Sequence, residues 1–125
     1  MALSTLKKRA EFLRIRGGRR WSNSAFVLEA RSRPHDAGGP VGARFGFTVS
    51  KKIGGAVVRN RVRRRLRSLA AALDPGQVRQ DFDYVLIART GAVDRAYLDL
   101  KADLDQALAR VHQPPPAKGR MQRPE

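Results

Sequence analysis

Hydrophobic positions fall into blocks whose spacing switches between helical and alternating along the chain. From a cap at Ser4 or Thr5 to about Leu13, the residues Leu6, Ala10 and Leu13 recur at helical steps. Lys7, Lys8, Arg9 and Glu11 lie between them, which predicts a short amphipathic helix that Gly17 and Gly18 end. Arg19, Arg20 and Trp21 lead into Ala25 to Ala30, which alternates well enough for a first strand. Arg33 to Gly42, with two Pro, three Gly, His35 and Asp36, reads as an exposed hairpin loop. From Ala43 to Ser50, Phe45, Phe47 and Val49 alternate with Arg44, Gly46, Thr48 and Ser50, a strand with one core face. Its other face, small and polar, is either plain solvent-facing surface or the floor of a shallow groove.

Lys51-Lys52-Ile53-Gly54-Gly55 makes a basic turn, and a helix follows from about Ala56 to Leu73, where Asp74-Pro75-Gly76 stops it. Val58, Val62, Leu66, Leu69 and Leu73 form its apolar stripe. At 100° per residue that stripe is opposed by Asn60, Arg64 and Arg67, with Arg61 and Arg63 on its shoulders and Arg59 and Arg65 beside it. Asp83 to Arg89 is almost continuously apolar and of strand length, which predicts a strand covered on both faces or at a sheet centre. A last amphipathic helix runs from about Val93 to Val111, on a stripe of either Leu98, Ala102, Asp105 and Leu108 or Leu100, Leu104, Leu108 and Val111. The predicted order is α-β-β-α-β-α, an α+β single domain over residues 1–112 with helices packed on a sheet. Residues 113–125, rich in Pro and basic groups, have no apolar periodicity and read as a disordered tail.

Composition narrows the partner. A chain of 125 residues has room for one small domain and none for separate cofactor and substrate halves. Lys and Arg number 26 against 11 Asp and Glu, a net charge of +15, and 20 of the 26 are Arg. The planar guanidinium suits bidentate contact with phosphate, so RNA or DNA is favoured over a merely acidic surface. Charge is also uneven along the chain. Residues 51–67 hold eight basic groups and no acid, residues 7–20 hold seven against Glu11 alone, and 81–105 hold six of the eleven acids, which indicates one positive face. No apolar run approaches the roughly 20 residues of a membrane span, and no signal peptide is visible at the start. The absence of Cys excludes a disulfide framework, a zinc finger and thiol catalysis, and fits a reducing cytoplasm.

The strongest candidate chemistry is Arg59-Asn60-Arg61-Val62-Arg63-Arg64-Arg65-Leu66-Arg67, six arginines in nine residues. A merely solvated helix face mixes acids with bases to gain i,i+4 pairs, whereas here Arg59, Arg63 and Arg67, and also Arg61 and Arg65, set like charges at that spacing. Phosphates that neutralise them make sense of the arrangement. Asn60 in their midst is either an indifferent polar position or an amide for a base edge or ribose 2′-hydroxyl. Phe12, close to Lys8 and Arg16 by helical spacing, is either core or a stacking platform for unpaired bases. His35 and His112 have no Asp or Ser partner by position, Asp81 with Asp83 and Asp103 with Asp105 fit strand entry and helix surface, and no cluster suggests a metal. The protein alone is expected to catalyse nothing.

Ser50 to Arg67, built around Arg59-Asn60-Arg61, closely resembles the signature of the bacterial ribonuclease P protein component family. Lys7, Glu11 and Phe12, the segments Phe26-Val27-Leu28 and Phe45-Gly46-Phe47-Thr48-Val49, and Asp83 to Arg89 follow in the family's order, so the resemblance spans roughly residues 3–111. It implies a fold similar to the second domain of ribosomal protein S5, with a left-handed βαβ crossover where the usual rule gives a right-handed one. It also implies a subunit of a ribonucleoprotein endonuclease that removes the 5′ leader from precursor tRNA, with the active site and its Mg²⁺ on the catalytic RNA and no cofactor needed by the protein. Arg59, Asn60, Arg61, Arg63, Arg64 and Arg67 would face the catalytic RNA. A groove beside the first helix would take the single-stranded leader past Phe12, Thr48, Ser50, Lys51 and Arg89, with Lys8, Arg16 and Lys52 among its cations. The chain departs from the pattern at Arg16, where the family usually has a second aromatic, and at Glu29, where a groove-facing aromatic is common. Arg16 can replace stacking by a guanidinium contact, Glu29 repels phosphate unless a neighbouring Arg pairs with it, and leader affinity is expected to be unusually salt-dependent. A structural ribosomal protein or general RNA-binding module is the alternative, and a metal-dependent protein nuclease a distant third.

Overall fold

A strand apolar on both faces needs cover on both, and Phe82–Ala88 occupies the middle of the sheet accordingly. The computed structural model describes residues 4–6, 8–33 and 42–113. In chain order they form β1 (Ser4–Thr5), α1 (Arg9–Ile15), β2 (Arg19–Ser22), β3 (Phe26–Ser32), β4 (Arg44–Thr48), α2 (Ala56–Ala71), β5 (Phe82–Ala88) and α3 (Tyr97–Val111). Single 3₁₀ turns lie at Lys51–Ile53, Pro75–Gln77 and Thr90–Ala92. The strands make one α+β mixed sheet in the order β1-β4-β5-β3-β2, with β4 parallel and β3 antiparallel to β5. The parallel β4–β5 pair requires a crossover, and α2 supplies it.

On one face of the sheet, Phe26, Leu28, Phe45, Tyr84 and Leu86 pack against Val62, Leu66 and Leu69 of α2 and Leu100, Leu104 and Leu108 of α3. The alternation read for β4 holds, with Phe45 inside and Thr48 exposed. The other face is covered only in part. The two-turn helix α1 sets Ile15 and Phe12 with Leu6 against Val85 and Ile87. No described helix is long and apolar enough to cross a membrane.

The order α-β-β-α-β-α omitted two strands. Ser4 and Thr5 do not cap α1; they pair in parallel with Arg44 and Phe45, while α1 starts at Arg9 with the Glu11 carboxylate accepting the Lys8 N–H at 3.0 Å. Arg19–Ser22, expected as a lead-in, pairs antiparallel with β3. Arg33 to Gly42 does not close a hairpin, because β5 lies between β3 and β4. Residues 34–41, including His35, and the tail from 114 onward lie outside the described residues. The last helix begins at Tyr97 and not Val93, and it buries the stripe of Leu100, Leu104, Leu108 and Val111 while Leu98 is 75% exposed.

His112 closes the core at the end of α3. The Tyr84 hydroxyl accepts the Arg79 N–H at 2.8 Å and therefore donates to His112 Nε2, 2.6 Å away. Burial pushes the Tyr84 hydroxyl up to about 12, and burial, then the charges of Arg79 and Arg19, hold the imidazole below its ordinary 6.5. With a lower pKa folded than unfolded, the unfolded chain binds more protons, so this contribution is complete above 6.5 and is lost as pH falls through the folded value. The melting temperature is expected to drop between about pH 7 and about pH 5. His112→Gln, which keeps an acceptor for the tyrosine, should flatten that drop in a thermal-denaturation series.

Candidate nucleic-acid interface

The apolar stripe of α2 is held by Val62, Leu66, Leu69 and Ala70, so helical geometry turns the opposite residues outward. Asn60, Arg61, Arg63, Arg64 and Arg67 are exposed and Arg59 is half-buried, which makes a one-sided cationic ridge. Val57, Asn60, Arg63, Arg64 and Arg67 line a hollow of about 510 Å³ on it. Arg63 Nη1 donates to Asn60 Oδ1 at 3.2 Å, and the Arg67 guanidinium lies 5.9 Å from the centre of the Phe47 ring. No carboxylate pairs with these five side chains among the described residues.

Arg65 differs from its neighbours. It turns inward, where its Nη1 donates to the carbonyls of Ala92 and Val93 at 3.2 and 3.1 Å and its Nη2 to that of Arg95. One guanidinium thus ties α2 to the turn after β5, the turn that follows Arg89.

A second depression, about 440 Å³, lies beside the ridge and is lined by Arg9, Phe12, Phe47, Thr48, Val49 and Arg63. It exists because β1 stops at Thr5, the partner of Phe45, and leaves the edge of β4 uncovered beyond that point. Phe12 lies flat over Gly46, where a Cβ would come within 2.5 Å of its ring, so only glycine lets α1 settle this close. Phe12 and Thr48 are therefore brought together. Ser50, Lys51 and Lys52 continue from the same end of β4, and Arg89 leaves β5 at that end, since Thr48 and Ile87 are register partners. Arg89 Nη1 donates to the Asn23 carbonyl at 2.9 Å. Lys8 and Arg16 sit at opposite ends of α1, and the Arg16 end faces β3, where Arg31 Nη1 donates to the Arg16 carbonyl at 3.4 Å. Arg16 is thus not beside the Phe12–Thr48 depression. Glu29 is only 8% exposed and lies 3.7 Å from Arg20, so the condition under which it would not repel phosphate is met.

Arg9, Phe47 and Val49 were not picked out from the sequence. Arg9 stands three residues before Phe12 on one helix face, which was a usable signal. Phe47 and Val49 were assigned to the core by alternation, and only the shortness of β1 exposes them.

What fixes α1 over the sheet is a buried ionic clasp. Asp83, fully buried, takes Arg33 Nη1 at 2.6 Å and Arg44 Nε at 2.9 Å on Oδ1, and Arg14 Nη2 at 2.6 Å and Arg44 Nη2 at 2.8 Å on Oδ2. Arg44 Nη1 also donates to Glu11 at 2.9 Å. Burial alone would raise the Asp83 carboxyl, but the bonds from Arg44, Arg33 and Arg14 hold it below the usual range. Asp83, read as a strand-entry residue, is the anchor of α1.

Fold and surface together define a class: a small α+β scaffold that presents an unpaired arginine ridge beside an aromatic cleft, built to hold a folded polyanion. The pattern of the Ribonuclease P family matches residues 2–112, and the chain belongs to the ribonuclease P protein component family. The ribonuclease P protein component of Ruegeria pomeroyi is 44% identical over 91% of this chain and 90% of its own. In structure, the RNase P protein of Staphylococcus aureus is similar with a TM-score of 0.72 at 28% identity, over 89% of this chain and 97% of that one. That of Thermotoga maritima gives 0.71 at 26%, over 88% and 99%.

Proposed function

We propose that this chain is the protein subunit of a ribonuclease P that binds the catalytic RNA through the α2 ridge and the 5′ leader of precursor tRNA through the cleft between α1 and β4, promoting endonucleolytic removal of the leader. Family membership supports the subunit role. The observation that carries the division of labour is that the ridge and the cleft are adjacent, both cationic, and differently built. The ridge is arginine on a helix, suited to a rigid folded RNA surface. The cleft adds Phe12 and Phe47 to Arg9, Arg63 and Thr48, and aromatic rings with cations hold unpaired nucleotides.

The protein's part is positional. Neutralised phosphates let catalytic RNA and substrate approach one another, and a leader held in the cleft fixes the scissile bond relative to the RNA. Mg²⁺ ions bound to the RNA would supply the hydrolytic chemistry in the holoenzyme. None of the residues on these surfaces is assigned a catalytic role.

The test compares precursor and mature tRNA binding to holoenzyme reconstituted with wild-type protein or Phe12→Ala. Stacking contributes about 1–3 kcal/mol per base, so precursor affinity should fall roughly five- to hundred-fold while mature tRNA is hardly affected. Equal losses for both would contradict a leader cleft and favour a general RNA-binding module.

A further inference from the structure

Arg63 borders both surfaces: it lines the hollow on the ridge and, with Arg9, the cleft over Phe12 and Thr48. We propose that Arg9 and Arg63 form a two-guanidinium clamp that grips one phosphate of the single-stranded leader where it passes from the catalytic RNA into the cleft, with that nucleotide's base against Phe12. The inference rests on the leader reading above and adds to it a specific subsite.

Three observations carry it. The two arginines come from different elements, α1 and α2, yet open into one depression, and among the described residues neither pairs with a carboxylate. Elsewhere the fold does neutralise arginines: Arg14, Arg33 and Arg44 close on Asp83, Arg20 on Glu29 and Arg95 on Asp103. Two like charges left facing one cleft repel unless an anion lies between them. The volume, about 440 Å³, falls within the roughly 300–1,000 Å³ of small-ligand clefts and suits one nucleotide, not a duplex. The lining is also divided correctly for a nucleotide, since Phe12, Phe47 and Val49 offer apolar contact to a base while Thr48 and the guanidiniums offer donors to sugar and phosphate. Arg63 would then be the residue through which the two RNA-binding surfaces communicate.

The experiment measures precursor and mature tRNA affinity across a monovalent salt series. It uses holoenzyme assembled at protein excess, with wild-type, Arg9→Ala, Arg9→Lys, Arg63→Ala and Phe12→Ala proteins. Arg9→Ala is expected to lower the slope of log affinity against log salt for precursor by about one unit, and affinity roughly five-fold at about 0.1 M salt. Mature tRNA should be unaffected, and Arg9→Lys should retain the slope. Arg63→Ala should lower the precursor slope in the same way and, in a separate titration, weaken assembly with the catalytic RNA, which Arg9→Ala should not do. An unchanged precursor slope for Arg9→Ala, while Phe12→Ala still loses precursor selectively, overturns the clamp and leaves the cleft. If Phe12→Ala and Arg9→Ala weaken both tRNAs alike, the leader reading fails and takes the clamp with it.

Discussion

Replacing Arg61, Arg64 and Arg67 together by alanine is expected to weaken binding to the catalytic RNA by roughly two to three orders of magnitude at about 0.1 M salt. The slope of log affinity against log salt should fall by about three units. Each exposed guanidinium that meets a phosphate releases close to one counterion, and at that salt concentration each release is worth somewhat less than a factor of ten. Ordinary surface mutations that weaken binding are open to the objection that they unfold the protein. Here physics opposes that objection. Arg61 with Arg64, and Arg64 with Arg67, are like charges three residues apart on one helix face, and alanine is the best helix former. Removing them relieves repulsion along α2. The one loss within the protein is the Arg67 contact with Phe47, about 0.5–1 kcal/mol at an exposed site. The variant should therefore melt near the wild-type temperature while losing most of its affinity. A salt slope that does not change would mean that the ridge makes no phosphate contacts.

Asp83→Ala is expected to destabilise the fold by about 3–5 kcal/mol, a large part of the stability of a domain this size. Its two oxygens receive four hydrogen bonds from Arg14, Arg33 and Arg44, and removing it leaves three guanidiniums crowded on the sheet with Glu11 as the nearest remaining anion. Because the carboxyl is held below its usual range, its contribution is present above the ordinary aspartate value of 3.8 and is lost as pH falls through the lower folded value. The same clasp seats α1, and α1 carries Phe12 and Arg9. Equilibrium denaturation should register the loss, and any remaining folded protein should bind precursor less selectively. A midpoint within about 0.5 kcal/mol of wild type would show that the clasp is not an anchor.

The two roles of arginine explain what was legible in the sequence. The ridge was readable because α2 has a strong 3.6-residue period, so Val62, Leu66 and Leu69 fix which way Asn60, Arg64 and Arg67 point. The central position of β5 was readable from its double-sided apolar pattern. Pairing was not. Ser4 and Thr5 carry good capping side chains, and only the tertiary partner Arg44–Phe45 makes them a strand; Arg19 to Ser22 has charge where an edge strand tolerates it. The interior use of Arg14, Arg33, Arg44 and Arg65 was equally hidden, since their acceptors are distant in the chain: Asp83 for the first three, and three backbone carbonyls near Ala92 for the last. Part of the charge of +15 therefore holds the fold together and does not face RNA. The cleft lay between these cases. The polar face of β4 left surface and groove equally open, and the placement of Phe12 over Gly46 decides for a groove.

The most direct test adds the purified protein to catalytic RNA at a Mg²⁺ concentration too low for the RNA to act alone and follows release of the 5′ leader from precursor tRNA. Wild-type protein should restore cleavage at the mature 5′ end, and the Arg61, Arg64 and Arg67 triple alanine variant should fail to do so at the same concentration. Restoration by neither protein, or equal restoration by both, would contradict an arginine ridge that docks this chain on the RNA.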